Sequence, residues 1–454
     1  MKYKTSKYLI FSDILDDTQE ESKRIIYSTR GGEAIVVTDK IYNSIISNNF
    51  YDLSPTILQE LFKFEILVPE KENEFETVLE QNIEAEKDDK TLAFVIQPTA
   101  NCQLGCHYCG QSHVKHTMSD DIIPKILGRI NDLSKEKSYD SMYITWFGGE
   151  PLMGYGQIKK MSQEFISLCN QQSWHYSSKI VTNAVSLKKN ISLELIKECK
   201  VTYFQITIDG TKEFHDKRRV TKKNANGTFD IILSNLIDLI ELEEFESSRS
   251  YVEVRMNIDK TNYESIPYLI DLLADYKINE KNVGLSFAPI LDWGENEASS
   301  ASLDNELYGE LEIEWLIHAT SKGFKPGNII PSRRFAPCMV VNKSSEVFDA
   351  YGNIYPCYEL PITPAYNSPE YKIGNLNLPA ETYNHNAIPR NWFEDIKDNI
   401  SWCPECTYFP VCGGGCPKEW YSSKPACPPF KFNGRDRIVL QHILDNTDNI
   451  SELI

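Results

Sequence analysis

Residues 92–109 read Leu92-Ala-Phe-Val-Ile-Gln97-Pro98-Thr-Ala-Asn-Cys102-Gln-Leu-Gly-Cys106-His-Tyr108-Cys109. An apolar, strand-like run ends at Gln97, and three cysteines with x3 then x2 spacing follow it at once. One loop of that kind can wrap a corner of a 4Fe-4S cube. It supplies three of the four thiolates a cube ordinarily takes and leaves one iron free for a substrate or cofactor. A tetrahedral zinc ribbon would need a second CxxC close by, and none lies near. Buried structural cysteines, or an unusual zinc loop, are the plainer readings of the same residues.

The rest of the chain bounds the answer. Its 454 residues are 41% hydrophobic, enough for two or three domains with a sizeable core. No apolar run reaches membrane-spanning length, and Met1-Lys-Tyr-Lys-Thr-Ser6 lacks the apolar core of a signal peptide, so a soluble cytoplasmic protein without a membrane partner is expected. A net charge of -18 argues against nucleic acid, whose binding depends on Lys and Arg displacing counterions. The basic clusters Lys217-Arg-Arg219 and Lys222-Lys223 read as solvated loop charges. Twelve cysteines in a reducing compartment point to metal rather than disulfides. Ten of them fall into patterned groups, which leaves Cys169 and Cys199 as buried small hydrophobes on helices.

From Leu92 to about Ile290, strand-like runs alternate with amphipathic helical stretches. The strands are expected at 92–97, 142–146, 179–182, 203–208, 252–257 and 283–288, with helices at 122–133, 158–168, 231–240 and 266–273. Parallel βα units place their chemistry where strands end and loops begin. Motifs stand at those ends: Phe147-Gly148-Gly149-Glu150-Pro151 after the second strand, Thr182-Asn183-Ala184 after the third, and Thr207-Ile-Asp209-Gly210 then His215-Asp216-Lys-Arg-Arg219 after the fourth. Two glycines allow a ligand to approach the backbone closely. Taken alone, Gly-Gly-Glu is a turn, Asp209-Gly210 is a turn, and His215-Asp216 is a surface pair. Arg255 and Asn257 share one face of the fifth strand at period two, toward the barrel mouth.

The cysteine loop, with Tyr108 just before its third cysteine, resembles the radical S-adenosylmethionine (radical SAM) superfamily. The resemblance implies a partial (β/α)6 TIM barrel over residues 92–325. It also implies that Cys102, Cys106 and Cys109 hold a SAM-binding 4Fe-4S cluster, with Tyr108 at its edge. Gly148, Gly149 and Glu150 would then meet the SAM amino end. Asn183 would be a polar ligand, and Thr207, Asp209 and Arg219 would lie near the ribose and carboxylate. Relatives commonly carry Gly at Ala184 and Ser at Thr207; Thr207 keeps the hydroxyl, whereas Ala184 loses backbone freedom.

Two further parts flank the barrel. Residues 1–70 show a hairpin, Arg24 to Val37, in which Gly31-Gly32 can supply positive φ angles. A helix capped by Asp39 follows, with Ile41, Ile45 and Ile46 on one side, and then a helix with Ser54 as N-cap and Pro55 at N1. By element order this is similar to the winged-helix-like module that captures a leader peptide as an added strand; a structural cap is the other reading. Residues 71–91 read as a strongly acidic, solvated linker or exposed helix. At the other end, Cys338, Cys357, Cys403, Cys406, Cys412, Cys416 and Cys427 resemble the SPASM iron-sulfur domain, placed at 326–430 with a C-terminal helix at 431–454. Read without that resemblance, Cys403, Cys406, Cys412 and Cys416 could form one zinc site. The family's interleaved pattern implies an outer cluster on Cys403, Cys406, Cys412 and Cys427. An inner one would then sit on Cys338, Cys357 and Cys416, with its fourth position open or filled by a group such as Asp349.

Together the resemblances imply three 4Fe-4S clusters, SAM as cofactor, and a flavodoxin or ferredoxin as electron donor. The expected reaction starts with hydrogen abstraction by a 5'-deoxyadenosyl radical. The expected substrate is a ribosomally made precursor peptide with a leader sequence, which gains a cross-link, thioether or other oxidative modification. An anaerobic sulfatase-maturating enzyme is the alternative. Those enzymes place an Asp directly after the second cysteine of this region, where Tyr358 stands, and commonly carry a further cysteine between positions 338 and 357, where there is none. An iron-sulfur electron-transfer or sensor protein is a third reading, which the Gly-Gly-Glu-Pro and Thr-Ile-Asp-Gly motifs disfavour. The residues do not name a catalytic acid or base.

Overall fold

The computed structural model describes residues 2–15, 22–291, 297–325, 327–398 and 400–446. Strands β1 (Tyr3–Thr5), β2 (Leu9–Phe11), β3 (Lys23–Ser28) and β4 (Glu33–Thr38) are followed by helices α1 (Asp39–Ile46) and α2 (Pro55–Lys63) and by β5 (Leu67–Pro69). β2, β3 and β4 form an antiparallel sheet with β4 on an edge, and β1 pairs with β5. Between β3 and β4 the chain turns through residues 29–32, and only Gly32 takes a positive φ, at 74°. Gly31 is there for space: a Cβ on it would lie 2.8 Å from the Phe64 carbonyl oxygen.

Two details of this unit differ from the sequence reading. Thr38, not Asp39, occupies the N-cap of α1, and Asp39 opens the helix and pairs with Arg24 at 3.2 Å. Ile45 is buried whereas Ile46, one residue further round the helix, is 53% exposed. In α2 the Ser54 hydroxyl accepts from the Ile57 amide at 3.3 Å, with Pro55 in the first turn.

The acidic stretch before the barrel is packed. Helix α3 (Glu74–Asp88) turns Phe75, Val78 and Leu79 onto one face by i, i+3, i+4 spacing. That face packs in one cluster with Tyr8, Trp392 and Phe409, and the Phe75 and Phe409 rings lie 5.0 Å apart. Few apolar positions suffice because they recur at the helical period, so the segment is a bracing helix and not a solvated linker.

Next come β6 (Thr91–Ile96), α4 (Ile123–Leu133), β7 (Ser141–Trp146), α5 (Tyr155–Gln172), β8 (His175–Thr182), α6 (Lys189–Lys197) and β9 (Val201–Thr207). They are followed by α7 (Lys212–Arg218), α8 (Phe229–Ile240), α9 (Glu243–Ser247), β10 (Tyr251–Ile258), α10 (Ile266–Asp275), β11 (Val283–Pro289) and α11 (Asn305–Ser321). β6 to β11 pair in chain order, all parallel, which gives an α/β fold with a mostly parallel central sheet. Alternate residues such as Met142, Ile144 and Trp146 are fully buried under the helices, while their neighbours face the lumen. Cys169 and Cys199 are buried in this apolar layer, Cys199 just past the end of α6.

The sheet does not stop at the barrel. β12 (Ser345–Phe348) pairs parallel with β6, from Ser345 opposite Ala93 to Phe348 opposite Ile96, and β13 (Asn353–Tyr355) and β14 (Gly374–Asn375) extend it to nine strands. Arg129 on α4 bonds the buried Glu346 carboxylate in a fork, at 3.0 and 2.6 Å, locking β12 to the barrel. The last described helix, Phe430–Asn446, rests on α11 through Asn433 and Arg437, and residues 447–454 of the expected terminal helix lie outside the described residues. No described helix is long and apolar enough to cross a membrane.

Phe75→Ala should cost about 3 kcal/mol in urea unfolding, the usual loss for a buried aromatic, whereas Glu80→Ala on the exposed face of the same helix should leave the midpoint unchanged. Equal, small effects of both would return the segment to a linker.

Candidate functional site

A cavity of about 620 Å³ opens at the carboxyl ends of the parallel strands, within the range of ligand sites. Cys102, Cys106, Tyr108 and Cys109 line it from the loop after β6, Gly148 and Gly149 from the loop after β7, and Asn183, Thr207 and Arg219 from the ends that follow. The side chains of Glu150 and Asp209 do not line it. They are fully buried behind it.

The first two loops are joined at short range. Gly148 and Gly149 have φ of 86° and 58°, a region that favours glycine. A Cβ on Gly149 would stand 2.5 Å from the Asn101 carbonyl oxygen, and one on Gly148 would stand 2.3 Å from Gln97. The Glu150 amide donates to that Asn101 oxygen at 2.8 Å. The Glu150 carboxylate accepts from the Leu152 amide (3.0 Å), the Thr182 hydroxyl (2.6 Å) and the Asn183 amide (2.7 Å). Burial pushes this carboxyl upward while those hydrogen bonds pull it back. Asn183 in turn points Nδ2 at Cys102 Sγ, 3.8 Å away. Ala184 takes a φ of 58°, which a glycine would adopt without strain.

Tyr108 is the second joint. Its hydroxyl donates to the Asp209 carboxylate and accepts from the Arg219 guanidinium and from Asn257 Nδ2, the last at 3.1 Å. Burial holds the phenol far above its ordinary range, so it keeps its proton. Asp209 also accepts from the Asn257 amide at 2.9 Å, and its own amide donates to His215 Nδ1 at 3.1 Å. Asp216 accepts from the amides of Thr228 and Phe229, at 2.7 and 2.9 Å, and so starts α8. His215 is fully buried and Asp216 partly so, and the two are bonded into the fold rather than forming a solvated surface pair. The expected solvation of the basic run is likewise wrong for two of its three members: Arg218 and Arg219 are buried, Arg218 pairing with Asp259 at 2.7 Å. The hub role of the Tyr108 hydroxyl and of Asn257 was missed, although Asn257 sits two residues from Arg255 on the lumen face.

Two further chambers continue from this one. A space of about 520 Å³ shares Cys338, Met339, Tyr358 and Glu359 with the first cavity and is also lined by Cys357 and Cys416. A small chamber beyond it is lined by Cys403, Cys406, Cys412 and Cys427. Lys431 Nζ lies 3.4 Å from Cys427 Sγ. Among the described residues no three His, Cys, Asp or Glu side chains converge on the point a single metal ion would occupy; the thiols surround volumes. Such a donor set suits clusters. Burial raises Cys102, Cys338 and Cys412 to about 12, so only a strong positive partner such as iron would hold them as thiolates. Asp349 is absent from these chambers. Its carboxylate accepts from the Tyr351 and Asn353 amides and from Asn353 Nδ2, at 2.9, 2.8 and 2.8 Å, closing the turn between β12 and β13.

Comparison with known proteins places these features in context. Residues 96–243 match the model of the radical SAM superfamily. A cysteine-type anaerobic sulfatase-maturating enzyme of Clostridium novyi (strain NT) is 24% identical over 72% of this chain and 88% of its own length. Native anSMEcpe with bound AdoMet and the Cp18Cys peptide has a similar structure, with a TM-score of 0.56 at 16% identity over 80% of this chain and 100% of that one. SuiB of Streptococcus suis, bound to its precursor peptide SuiA, gives a TM-score of 0.51 at 16% identity over 94% of this chain and 98% of that one.

The buried His215 ring is held neutral, its pKa lowered to about 4 by desolvation and then by Arg219. Because the unfolded chain takes up this proton first, the contribution is complete above the ordinary histidine pKa and is lost as pH falls toward 4. At about 1.36 kcal/mol per unit that is roughly 3 kcal/mol. His215→Asn should remove this part of the acid-induced loss, measured as the wild-type minus variant unfolding free energy between pH 7 and 4.

Proposed function

The chain carries a radical SAM domain and is an enzyme of that superfamily, and from that premise we propose that it is a peptide maturase with a SPASM-type iron-sulfur region and a leader-binding front module. The observation that carries this reading is the convergence of Cys102, Cys106 and Cys109 with the Gly148-Gly149 backbone on one cavity at the strand ends. SAM and a 4Fe-4S cluster held by these residues would supply radical chemistry able to take hydrogen from carbon.

The chain's own residues hold and orient. Cys102, Cys106 and Cys109 ligate the first cluster, and Gly148 and Gly149 let the cofactor's amino-acid end approach the backbone, with Asn183, Thr207 and Arg219 around it. Glu150 and Asp209 act as positioning residues, since their carboxylates are consumed by the loops they tie together. Cys338, Cys357 and Cys416 hold an inner auxiliary cluster and Cys403, Cys406, Cys412 and Cys427 an outer one, with electrons arriving from a small donor such as flavodoxin or ferredoxin in the cytoplasm.

Two features favour a precursor peptide. β4 is an edge strand whose Val36 is 44% exposed, an apolar seat for an added strand. The likeness in fold to SuiB also runs through nearly the whole chain, front unit included. The alternative, sulfatase maturation, is favoured by the name of the curated relative. Against it, Tyr358 stands on the cavity wall, edge-on to Phe147 at 5.2 Å, where those enzymes carry an Asp.

Anaerobically reconstituted, dithionite-reduced enzyme should bind three clusters and form 5'-deoxyadenosine from SAM. Cys102→Ala should lower that turnover about 100-fold or more; undiminished turnover, or a single zinc in place of the clusters, would overturn the reading. Among candidate peptides, a cross-linked or thioether product supports the precursor class, and a hydrazine-reactive aldehyde supports sulfatase maturation. Deleting residues 1–70 should abolish leader binding, and unchanged affinity would make that unit a structural cap.

A further inference from the structure

Below the cysteine loop the lumen is largely apolar, with a few charged side chains set into it. Lys179 on β8 stands opposite Tyr203 on β9, and Arg255 on β10 opposite Thr207, two residues either side of the level of Gln205; all three of Lys179, Gln205 and Arg255 project inward by the period of two and line the cavity. Among the described residues Lys179 Nζ has no ion pair or hydrogen bond; it rests over the Tyr203 ring, 4.3 Å from the centroid. Arg255 spends only Nε, on Asn257 Oδ1 at 3.0 Å, and its terminal nitrogens bond nothing described. The nearby carboxylate of Glu253 is already committed, to Gln205 Nε2 at 2.6 Å and to the Tyr203 hydroxyl, and does not line the cavity.

We propose that Lys179 and Arg255 form a carboxylate-binding pocket for an Asp or Glu side chain of the peptide substrate, held in the lumen beneath the cofactor. This deepens, and rests on, the peptide reading above. Two cations that line one cavity and form no ion pair among the described residues, with Glu253 and Glu359 the carboxylates nearest them, match the chemistry of an arriving carboxylate, and the planar guanidinium adds a directional fork. Desolvation already lowers the Lys179 pKa, with Arg255 lowering it further against the pull of Glu253. Among the described lining residues the sole carboxylate is Glu359, on the wall toward the second chamber.

Lys179 is the member of the pair set apart from the cofactor's own carboxylate, Arg255 standing opposite Thr207. Lys179 lies three residues below Thr182, or about 10 Å at roughly 3.3 Å per residue, whereas the cysteines and Gly148-Gly149 stand above the strand ends.

The test uses the SAM-loaded holoenzyme and two capped residues, N-acetyl-glutamate methylamide and its neutral glutamine counterpart, with binding read by ligand-observed NMR. The acidic compound should bind about tenfold more tightly. Lys179→Met and Arg255→Met should each erase most of that preference, and Lys179→Arg should keep it, which separates charge from packing. Equal binding of the two compounds, no binding of either at millimolar concentration, or a preference that survives the Lys179→Met/Arg255→Met double variant would each overturn the proposal. So would a tenfold loss of SAM affinity in Lys179→Met with the acid preference intact, since the pair would then serve the cofactor. SAM cleavage without peptide is measured separately; its failure would sink the enzyme reading, whereas its success with no acid preference sinks only the pocket.

Discussion

Everything at the site depends on how closely the loop after β6 can approach the loop after β7. The Asn101 carbonyl is the contact: it accepts the Glu150 amide at 2.8 Å, and a Cβ on Gly149 would stand 2.5 Å from it. A side chain at 149 would push the cysteine loop away from the second strand, and one at 148 would displace the Gln97 side chain. Three thiols can face one cavity because that approach is open. The glycines therefore serve two ends, giving the backbone room for a ligand and letting one loop brace the other.

Behind this contact lies a polar layer that would be unfavourable if any member were missing. Glu150 and Asp209 are fully buried, and an unpaired carboxylate there would cost several kcal/mol. Each is instead surrounded by donors drawn from different strands. Glu150 gathers Thr182 and Asn183 from the end of β8, and Asp209 gathers Tyr108, from the cysteine loop, with Asn257 from β10. The buried charges hold separate βα units in register, so the same motifs that surround the cavity also align the strand ends that form it.

The parallel strands were legible because short apolar or β-branched runs alternate with amphipathic helical stretches, and their ends fell within about four residues of the observed ones. Six of the eight residues read as cofactor contacts line the cavity; Glu150 and Asp209 were placed in the right loops but not behind them, since burial depth leaves no mark on a motif. The packed face of α3 was hidden by its charge, because Phe75, Val78, Leu79 and Ile83 among many carboxylates carry little weight in composition. β12 to β14 are two to four residues long, too short for any alternation to register, yet they weld the cysteine-rich region to the first barrel strand. Lys179 left a signal that went unused: a charge in mid-strand, with its neighbours Ser178 and Ile180 buried, has to face the lumen.

The three chambers share walls, and this bears on what the cysteine-rich region does. Cys338 lines both the first and second spaces, and Cys412 and Cys427 line both the second and third. Clusters held in those positions would form a row leading away from the barrel cavity, with Met339, Tyr358 and Glu359 among the side chains that line both the cavity and the second chamber. A region serving stability alone would have no need to turn thiols toward the barrel. The continuous sheet through β6 and β12 gives that row a fixed geometry, because the strand that starts the cysteine loop is paired residue for residue with β12, whose antiparallel neighbour β13 leads into Cys357. A shift of either strand would move the first and second sets of thiols together, so the separation between them is set by backbone hydrogen bonds rather than by the packing of two independent domains.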